Sequence, residues 1–563
     1  MSKNSYVVLL LLFFAVWKQE LKAQMFNEIT TTVFLQNGKI IVKPGAAPVR
    51  GNILIKDGMI KAIGSNITAP FDAKIIHIDS HFVYAGFIDA LNHTGLKREE
   101  ESPVGRGERG GQQAQGPRVV PGQATLEQSG VTPQRSVVKL YSPSESSVKD
   151  MRNQGITIVH VVPTGLMLPG KGSVISLKEG SRPDQHFLRK DISTYARLTP
   201  TRAYAPSTLI GVMSKFRDVY KNSEILFKNN LAYESGKDGV SRPNYTDEYN
   251  ALIPVVNKKE TVFFDAPQIK DIHKVMILQK ELGFNLILSN INLMEGLVEE
   301  VKKLNSPVVL SLKLPEAMKK DTADAKNKSE EEINIAKRSE EAYKQLVSQA
   351  ALLEKNNIKF AFGLKDVKPA DIKKSVKTLI ENGLSETQAL HALTTQAAEI
   401  VGLSAKAGTV EVGKLANLVI CDTSYFAEKS KLKYVIVEGQ VYEQTQAEKP
   451  KKPESAPAEK GLSGKYSYAI TVMGNTETGW VNIEPKGPTY KISIKSDQNE
   501  EVDEDINKIE VQGEKLKFDL NTDIGGSPII VNFDLEFDGD EYNGNAKVGN
   551  FGVFPISGTR IPK

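Results

Sequence analysis

The chain has 563 residues, with 72 Lys and Arg against 68 Asp and Glu and a formal net charge of +4. It is 40% apolar and 25% charged, which excludes a wholly disordered chain, and at about 100–200 residues per domain its length corresponds to about three domains. The near-neutral balance argues against a dedicated nucleic-acid binder, and the single cysteine, Cys421, excludes an internal disulfide and thiolate-rich zinc or iron–sulfur sites.

The N-terminus reads as a targeting segment. Lys3 precedes an apolar run over residues 7–17, and the small residue Ala23 follows a short polar exit. This is the pattern of a secretory signal peptide over residues 1–23, cleaved after Ala23. The run is shorter than the about 20 apolar residues of a spanning helix. Cleavage removes Lys3, Lys18 and Lys22 with Glu20, bringing the charge closer to zero. The expected protein is exported, without a membrane span in its mature chain, and periplasmic if the cell has two membranes.

Residues 24–85 read as short strands with turns. Asn37-Gly38 and Asp57-Gly58 are both hairpin signals, and strands are expected over residues 32–35, 53–55, 59–63 and 74–78. Residues 405–443 have the same character. Neither end holds enough strands for a core of its own, so the pattern predicts one β-sandwich split between them. Residues 86–404, inserted between, alternate short apolar runs with helical stretches. Runs beginning at Gly155, Val262, Asn285, Pro307 and Lys359 read as buried parallel strands, with helices over 269–282, 293–304 and 329–355. The repeat predicts a (β/α)8 barrel or an open doubly wound sheet. Residues 99–123, rich in Gly, Gln and Arg, read as a loop, and the charge run over 319–345 as a solvated helix. Residues 163–172, glycine-rich at a strand exit, read as a barrel-mouth loop. Residues 444–460, rich in Pro, Lys and Glu, read as a linker. Residues 461–563 carry seven or eight alternating strands, a separate all-β barrel or sandwich. Its Gly479-Trp480 and closing 552–556 segment read as core positions rather than a ligand mouth.

Two sets of residues resemble a known family. Gly38-Lys39-Ile40, the stretch 52–64, Ile78-Asp79 and Gly86-Phe87-Ile88-Asp89 resemble the opening of metal-dependent amidohydrolases. The stretches 389–403 and 408–419 resemble that family's last barrel helix and its return to the sandwich. Residues 262–272 and 286–295 resemble the imidazolonepropionase-like branch. The resemblance covers about 30 to 440 and implies an α/β fold: a TIM-like barrel inserted in a split β-sandwich, here followed by the extra C-terminal all-β domain. It also implies hydrolysis of C–N bonds in cyclic amides, ureas or N-acyl compounds. In that family one or two divalent metals activate water at the barrel's C-terminal mouth. The usual ligands are a His-x-His pair on strand 1, a lysine or glutamate on strand 4, histidines on strands 5 and 6, and an aspartate on strand 8.

The residues depart from that pattern. Leu91 and His93 occupy the His-x-His slots, and leucine offers no lone pair. Strand 5 reads Asp265-Ala266-Pro267 and strand 6 reads Ser289-Asn290, so Pro267 and Asn290 stand where ligands are expected. The strand-8 acid falls on Lys365, with Asp366 one position later, and Ser176 and Lys178 are the nearest residues to a strand-4 ligand. His160 ends the strand over residues 156–162 and could approach His93; with Asp89 or Asp265 the two would form a relocated metal site, zinc being one candidate. Otherwise no cofactor is expected. Lys365 either points into the mouth, where its ammonium stands in for the missing ion and pairs with Asp265 or Asp366, or faces solvent.

Three readings follow. The first is an exported protein of this superfamily with a degenerate metal centre, weakly active or inactive, binding a small amide-like ligand or pairing with an intact homologue or a second copy of itself. The second is an active hydrolase with a relocated site. The third is a binding protein acting through residues 461–563.

Overall fold

The computed structural model describes residues 32–97, 124–201, 204–236, 239–315, 330–444 and, with brief interruptions, 462–561. The expected signal peptide, the 99–123 loop, the start of the charge run and the linker lie outside them, apart from Gln444. The chain divides into two compact units, one ending at Gln446 and one beginning at Ala447.

The first unit opens with β1 (Thr32–Ile40), β2 (Val49–Lys56), β3 (Met59–Gly64), β4 (Lys74–His77) and β5 (Phe82–Ala85). Asp57-Gly58 forms the expected tight turn: both residues have positive φ, 53° and 74°, and Lys56 pairs with Met59. Asn37-Gly38 does not form a turn. Asn37 has φ 63°, but β1 runs on through it, and the register against β2 slips between Leu35 and Gly38. A left-handed Asn inside a strand makes a bulge as readily as a hairpin, and the dipeptide alone cannot distinguish them. The bulge divides β1 between two parallel neighbours, β4 along its first half and β5 along its second.

The barrel strands follow: β6 (Phe87–Asn92), β7 (Ile156–Val161), β8 (Gly170–Ser176), β9 (Phe187–Arg197), β10 (Thr261–Asp265), β11 (Leu286–Ile291), β12 (Val308–Ser311) and β13 (Phe360–Gly363). They neighbour one another in chain order. The two ends of that order meet, since the Leu364 N–H donates to Asp89 Oδ1 at 3.0 Å and Gly363 abuts Leu91. All neighbours are parallel except β8, which is antiparallel to both β7 and β9. The connection from Val161 to Gly170 is too short for a helical crossover, so the chain returns as a hairpin. Residues 163–169 are the loop the sequence predicts, while Gly170–Gly172 already belong to β8. Gly172 is there for space: a Cβ would stand 2.6 Å from both His160 Nε2 and Ser193 Oγ.

Alternation along the strands separates two cores. Val262 and Phe264 pack outward with the helices, Phe263 and Asp265 inward. The helix Ile269–Leu282 presents Ile272, Val275, Leu278 and Leu282 to the outer core and stops at Gly283, whose φ of 73° allows its N–H to cap Gln279. The helix expected over 293–304 is shorter, Val298–Lys303.

After the barrel, β14 (Leu418–Cys421), β15 (Leu432–Val437) and β16 (Gln440–Glu443) complete the first sheet. The seam between chain halves is antiparallel, with Leu418 opposite Ala85 and Cys421 opposite Phe82. Leu35, Ile53, Ile55, Val83, Leu418, Ile420 and Ile436 form one core from both halves.

The second unit contains β17 (Gly464–Val472), β18 (Asn475–Lys486), β19 (Thr489–Ser496), β20 (Ile506–Gln512), β21 (Lys515–Ile524), β22 (Ser527–Asp538), β23 (Glu541–Val548) and β24 (Gly552–Thr559). They form an antiparallel, barrel-like sheet in which β24 returns to pair with β17. Tyr466, Phe518, Phe537 and Tyr542 fill its core. Trp480 is not a core anchor: it is half-buried, with the Lys465 ammonium 3.6 Å from its ring centroid. In the closing segment Ile556 is buried and Val553 exposed.

Cys421 is fully buried in β14, and burial pushes its thiol up to about 12. The native chain should therefore resist an aromatic disulfide reagent and release one equivalent of thiol only on denaturation; rapid native reaction would contradict this packing.

Candidate active site at the barrel mouth

The inward positions at the C-terminal ends of β9, β10 and β13 converge. Tyr195 and Arg197, two residues apart on β9, share a face; Asp265 ends β10; Lys365 follows β13. Asp265, 5% exposed, is the hub. Its Oδ2 accepts from Lys365 Nζ at 2.8 Å, Tyr195 Oη at 2.8 Å and Arg197 Nε at 3.1 Å, and its Oδ1 from Asn290 Nδ2 at 2.8 Å. Lys365 Nζ also reaches Tyr195 Oη at 3.3 Å, and Arg197 Nη1 donates to Gly165 O in the 163–169 loop at 2.8 Å. Burial alone would raise the Asp265 carboxyl; Lys365, Asn290 and Arg197 outweigh it and hold the group below the usual carboxylate range. Burial first, then the neighbouring Asp265 charge, keeps the Tyr195 phenol protonated.

Lys365 therefore faces inward, 8% exposed, and pairs with Asp265. Asp366 does not pair with it: the residue is exposed and left-handed, φ 60°. Of the four positions read as lacking an expected ligand, Leu91 lies in the inner apolar core, Pro267 is half-buried with its carbonyl bonded to Asn292 N, Asn290 holds Asp265, and Lys365 carries a cation. Lys178 pairs with Glu438, and Ser176 is buried.

His93 and His160 do not form a shared ligand pair. His160 is fully buried, with Nδ1 3.0 Å from Ala90 O and Nε2 2.8 Å from Ser193 Oγ. A carbonyl only accepts, so Nδ1 carries the proton and Nε2 takes the serine hydroxyl. Burial lowers this imidazole to about 4, which keeps it neutral. His93 Nδ1 is 2.7 Å from Val162 O, which leaves Nε2 unprotonated at the mouth; burial, then Lys365, lowers this ring as well. Asp89 is also fully engaged. Its Oδ1 accepts from the N–H groups of Leu91 and Leu364, and its Oδ2 from Asn92 Nδ2. Among the described residues no group of three or more His, Cys, Asp or Glu side chains is placed to hold a metal ion. The residues at the mouth do not fit a divalent metal, because the carboxylate already accepts four hydrogen bonds, one nitrogen remains from His93, and a fixed ammonium occupies the strand-8 slot.

The sequence reading missed Tyr195 and Arg197. Residues 187–197 are mostly polar in their first half and gave no apolar run; the available signal was the inward spacing of Tyr195 and Arg197. It also missed a second buried pair, Lys171 on β8 and Glu260 just before β10. There Lys171 Nζ lies 2.7 Å from Glu260 Oε2 and bonds Ala251 O, and Thr194 donates to Glu260. A cavity of about 700 Å³ opens beside that pair, and one of about 670 Å³ lies beside Arg135 and Tyr141. Neither is lined by the Asp265 cluster.

Removing one partner of a buried ion pair costs about 3–5 kcal/mol because the other charge is left uncompensated. Lys365→Met should lose stability on that scale in chemical denaturation, and Lys365→Met with Asp265→Asn should recover part of it. The two buried acids act oppositely on pH. Asp265 is depressed, so its contribution holds above the ordinary carboxylate pKa and is lost as pH falls through its folded value. Burial raises Asp89 to about 7, so the folded state binds the extra proton and stability falls as pH rises from about 4 past 7. His160 and His93, lowered by burial, act in the opposite sense below the ordinary imidazole pKa, so the Asp89 contribution is read as a difference: from pH 5 to 8 the denaturation midpoint of the native chain should fall relative to that of Asp89→Asn.

Residues 298–442 match the model of the amidohydrolase family. A 5-methylthioadenosine/S-adenosylhomocysteine deaminase of Pyrococcus furiosus is 41% identical over 64 residues, 11% of this chain and 15% of that protein, so the match spans well under two thirds of the relative's length. A solved amidohydrolase from Thermotoga maritima, 21% identical, aligns over 73% of this chain and 100% of its own with a TM-score of 0.58, a likeness of fold. Residues 298–442 are thus similar in sequence to the amidohydrolase family, and the barrel is similar in fold to a solved amidohydrolase.

Proposed function

We propose that the chain is an exported, imidazolonepropionase-like relative of the C–N hydrolases in which an ion-pair network has replaced the catalytic metal, so that the barrel binds rather than hydrolyses. The observation that carries this reading is the Lys365–Asp265 pair at 2.8 Å, with Tyr195, Arg197 and Asn290 also donating to the carboxylate. A divalent ion here would meet a buried ammonium and a carboxylate whose Oδ2 already accepts three hydrogen bonds and Oδ1 one, and would have to displace the ammonium. A chain of this kind acts as the non-catalytic partner of an intact homologue, or of a second copy, or as a receptor for a small amide-like ligand. Among the described residues no helix is long and apolar enough to cross a membrane. Export rests on the segment ending at Ala23, and mass spectrometry of the exported protein should find Gln24 at its N-terminus.

The deciding test is elemental analysis of protein purified without chelator or affinity metal, with hydrolysis assays on N-acyl and cyclic amide substrates. The expected result is well below one zinc, manganese or iron per chain, and no activity that zinc restores or a chelator removes. One metal per chain with chelator-sensitive turnover would overturn the reading.

A further inference from the structure

The antiparallel β8 leaves the barrel wall thinly covered. Neither of its connections contains an α-helix, and the helix beside it, Val137–Leu140, is a single turn of four residues whose Ser136 cap bridges to Lys171. That turn is about 6 Å long, against about 23 Å for the seven residues of β8. The cavity of about 700 Å³ opens at this gap. Lys171 alternates with Gly172, which abuts His160 inside the barrel, so the Lys171 side chain points outward into the wall. The buried Lys171–Glu260 pair is the floor of the cavity. Lys171 Nζ meets the two Glu260 oxygens at 2.9 and 2.7 Å and Ala251 O at 2.7 Å, so its three protons are used and the floor is neutral and fixed.

The walls keep unused bonding groups. On the β9 side, Arg189 gives Nη1 to Val401 O and Gly402 O, both at 3.3 Å, while its Nε and Nη2 have no partner among the described residues. Asp191 is held left-handed, φ 48°, with its N–H on Ser173 Oγ and its Oδ1 accepting from Ser136 Oγ at 2.6 Å; its Oδ2 has no partner among the described residues. On the side of the helix Asp247–Val256, Asn250 gives Nδ2 to Thr246 O, which leaves Oδ1, and the Lys259 ammonium has no partner among the described residues. Tyr245, 77% exposed, lines the same cavity with its phenol bonded to Asp247.

Each wall carries both signs, Arg189 with Asp191 on one and Lys259 with Asp247 on the other. A net anion meets the carboxylates, and a net cation meets the guanidinium and the ammonium. A hydroxyl donates and accepts at one atom, so a ligand rich in hydroxyls matches donors and acceptors interspersed in this way. An exposed phenol ring adds an apolar face for the C–H groups of a saturated ring. The volume lies within the range of about 300–1,000 Å³ usual for small-molecule sites. We propose that this cavity binds a small neutral saccharide, with Asp191 and Asn250 accepting from its hydroxyls, Arg189 and Lys259 donating to them, and Tyr245 covering one sugar face. The site shares no lining residue with the Asp265 cluster, and it stands whether or not the barrel mouth holds a metal.

The test is saturation-transfer NMR titration of the full mature chain. The probes are the methyl glycosides of glucose, galactose, mannose and N-acetylglucosamine, the dimers cellobiose, xylobiose and chitobiose, and inorganic phosphate and glycine as charged probes. At least one saccharide should bind saturably. Raising sodium chloride from about 0.05 to about 0.5 M should change its Kd less than twofold, since a neutral ligand has no charge to screen. Tyr245→Ala and Asp191→Asn should each weaken binding at least fivefold. Both side chains are exposed, and asparagine tolerates the left-handed backbone, so both variants keep the fold. No saturable saccharide binding, binding that both variants leave unchanged, or binding of phosphate or glycine alone would overturn the proposal.

Discussion

An ionised carboxylate with 5% of its side chain exposed cannot persist inside a barrel unless its lost hydration is replaced, bond for bond. Asp265 meets that condition with four donors drawn from β9, β11 and the turn after β13. Besides bridging β10 to its paired neighbours β9 and β11, the carboxylate ties β10 to the turn after β13, with which it has no backbone pairing among the described residues. It also sets the electrostatics of the mouth. Lys365 is held inward by Asp265, Arg197 is oriented by it, and the fields of both cations reach His93 and help keep its ring neutral.

The same network decides what the inner face of the barrel presents at its mouth. Here Leu91 extends the apolar core upward, Lys365 brings the positive charge covalently, and His160 is satisfied by Ser193 and Ala90. Gly172 makes the last arrangement possible, since any side chain there would collide with both the imidazole and the serine. The Asp265 and His160 groups are thus held by hydrogen bonds, while the Ser289 hydroxyl has no partner among the described residues.

Much of the framework was legible in the residues. The strand–helix alternation, the Asp57-Gly58 turn and the strands of the C-terminal unit follow from local periodicity and turn chemistry, which short-range sterics govern. The expectation of missing ligands at Leu91, Pro267, Asn290 and Lys365 came from side-chain identity alone. The Asn37-Gly38 bulge was not, because a positive φ satisfies either a turn or a bulge, and pairing along the whole of β1 chose the bulge. The antiparallel β8 depends likewise on a short connection whose outcome is set by both neighbours.

By itself the sequence determined that this is an α/β chain with a barrel between two halves of one sheet, and that a β-rich unit follows. Only the tertiary structure decided which groups meet at the barrel mouth. Lys365 could have faced solvent, and whether it does depends on the rotation of a strand end and on a carboxylate 100 residues away in the chain. Tyr195 and Arg197 carry no motif, and they become site residues because β9 lies beside β10 in a register that puts Arg197 opposite Asp265. Residue identity fixes what chemistry is possible, whereas distance and burial, which arise from long-range packing, fix which of it is realised.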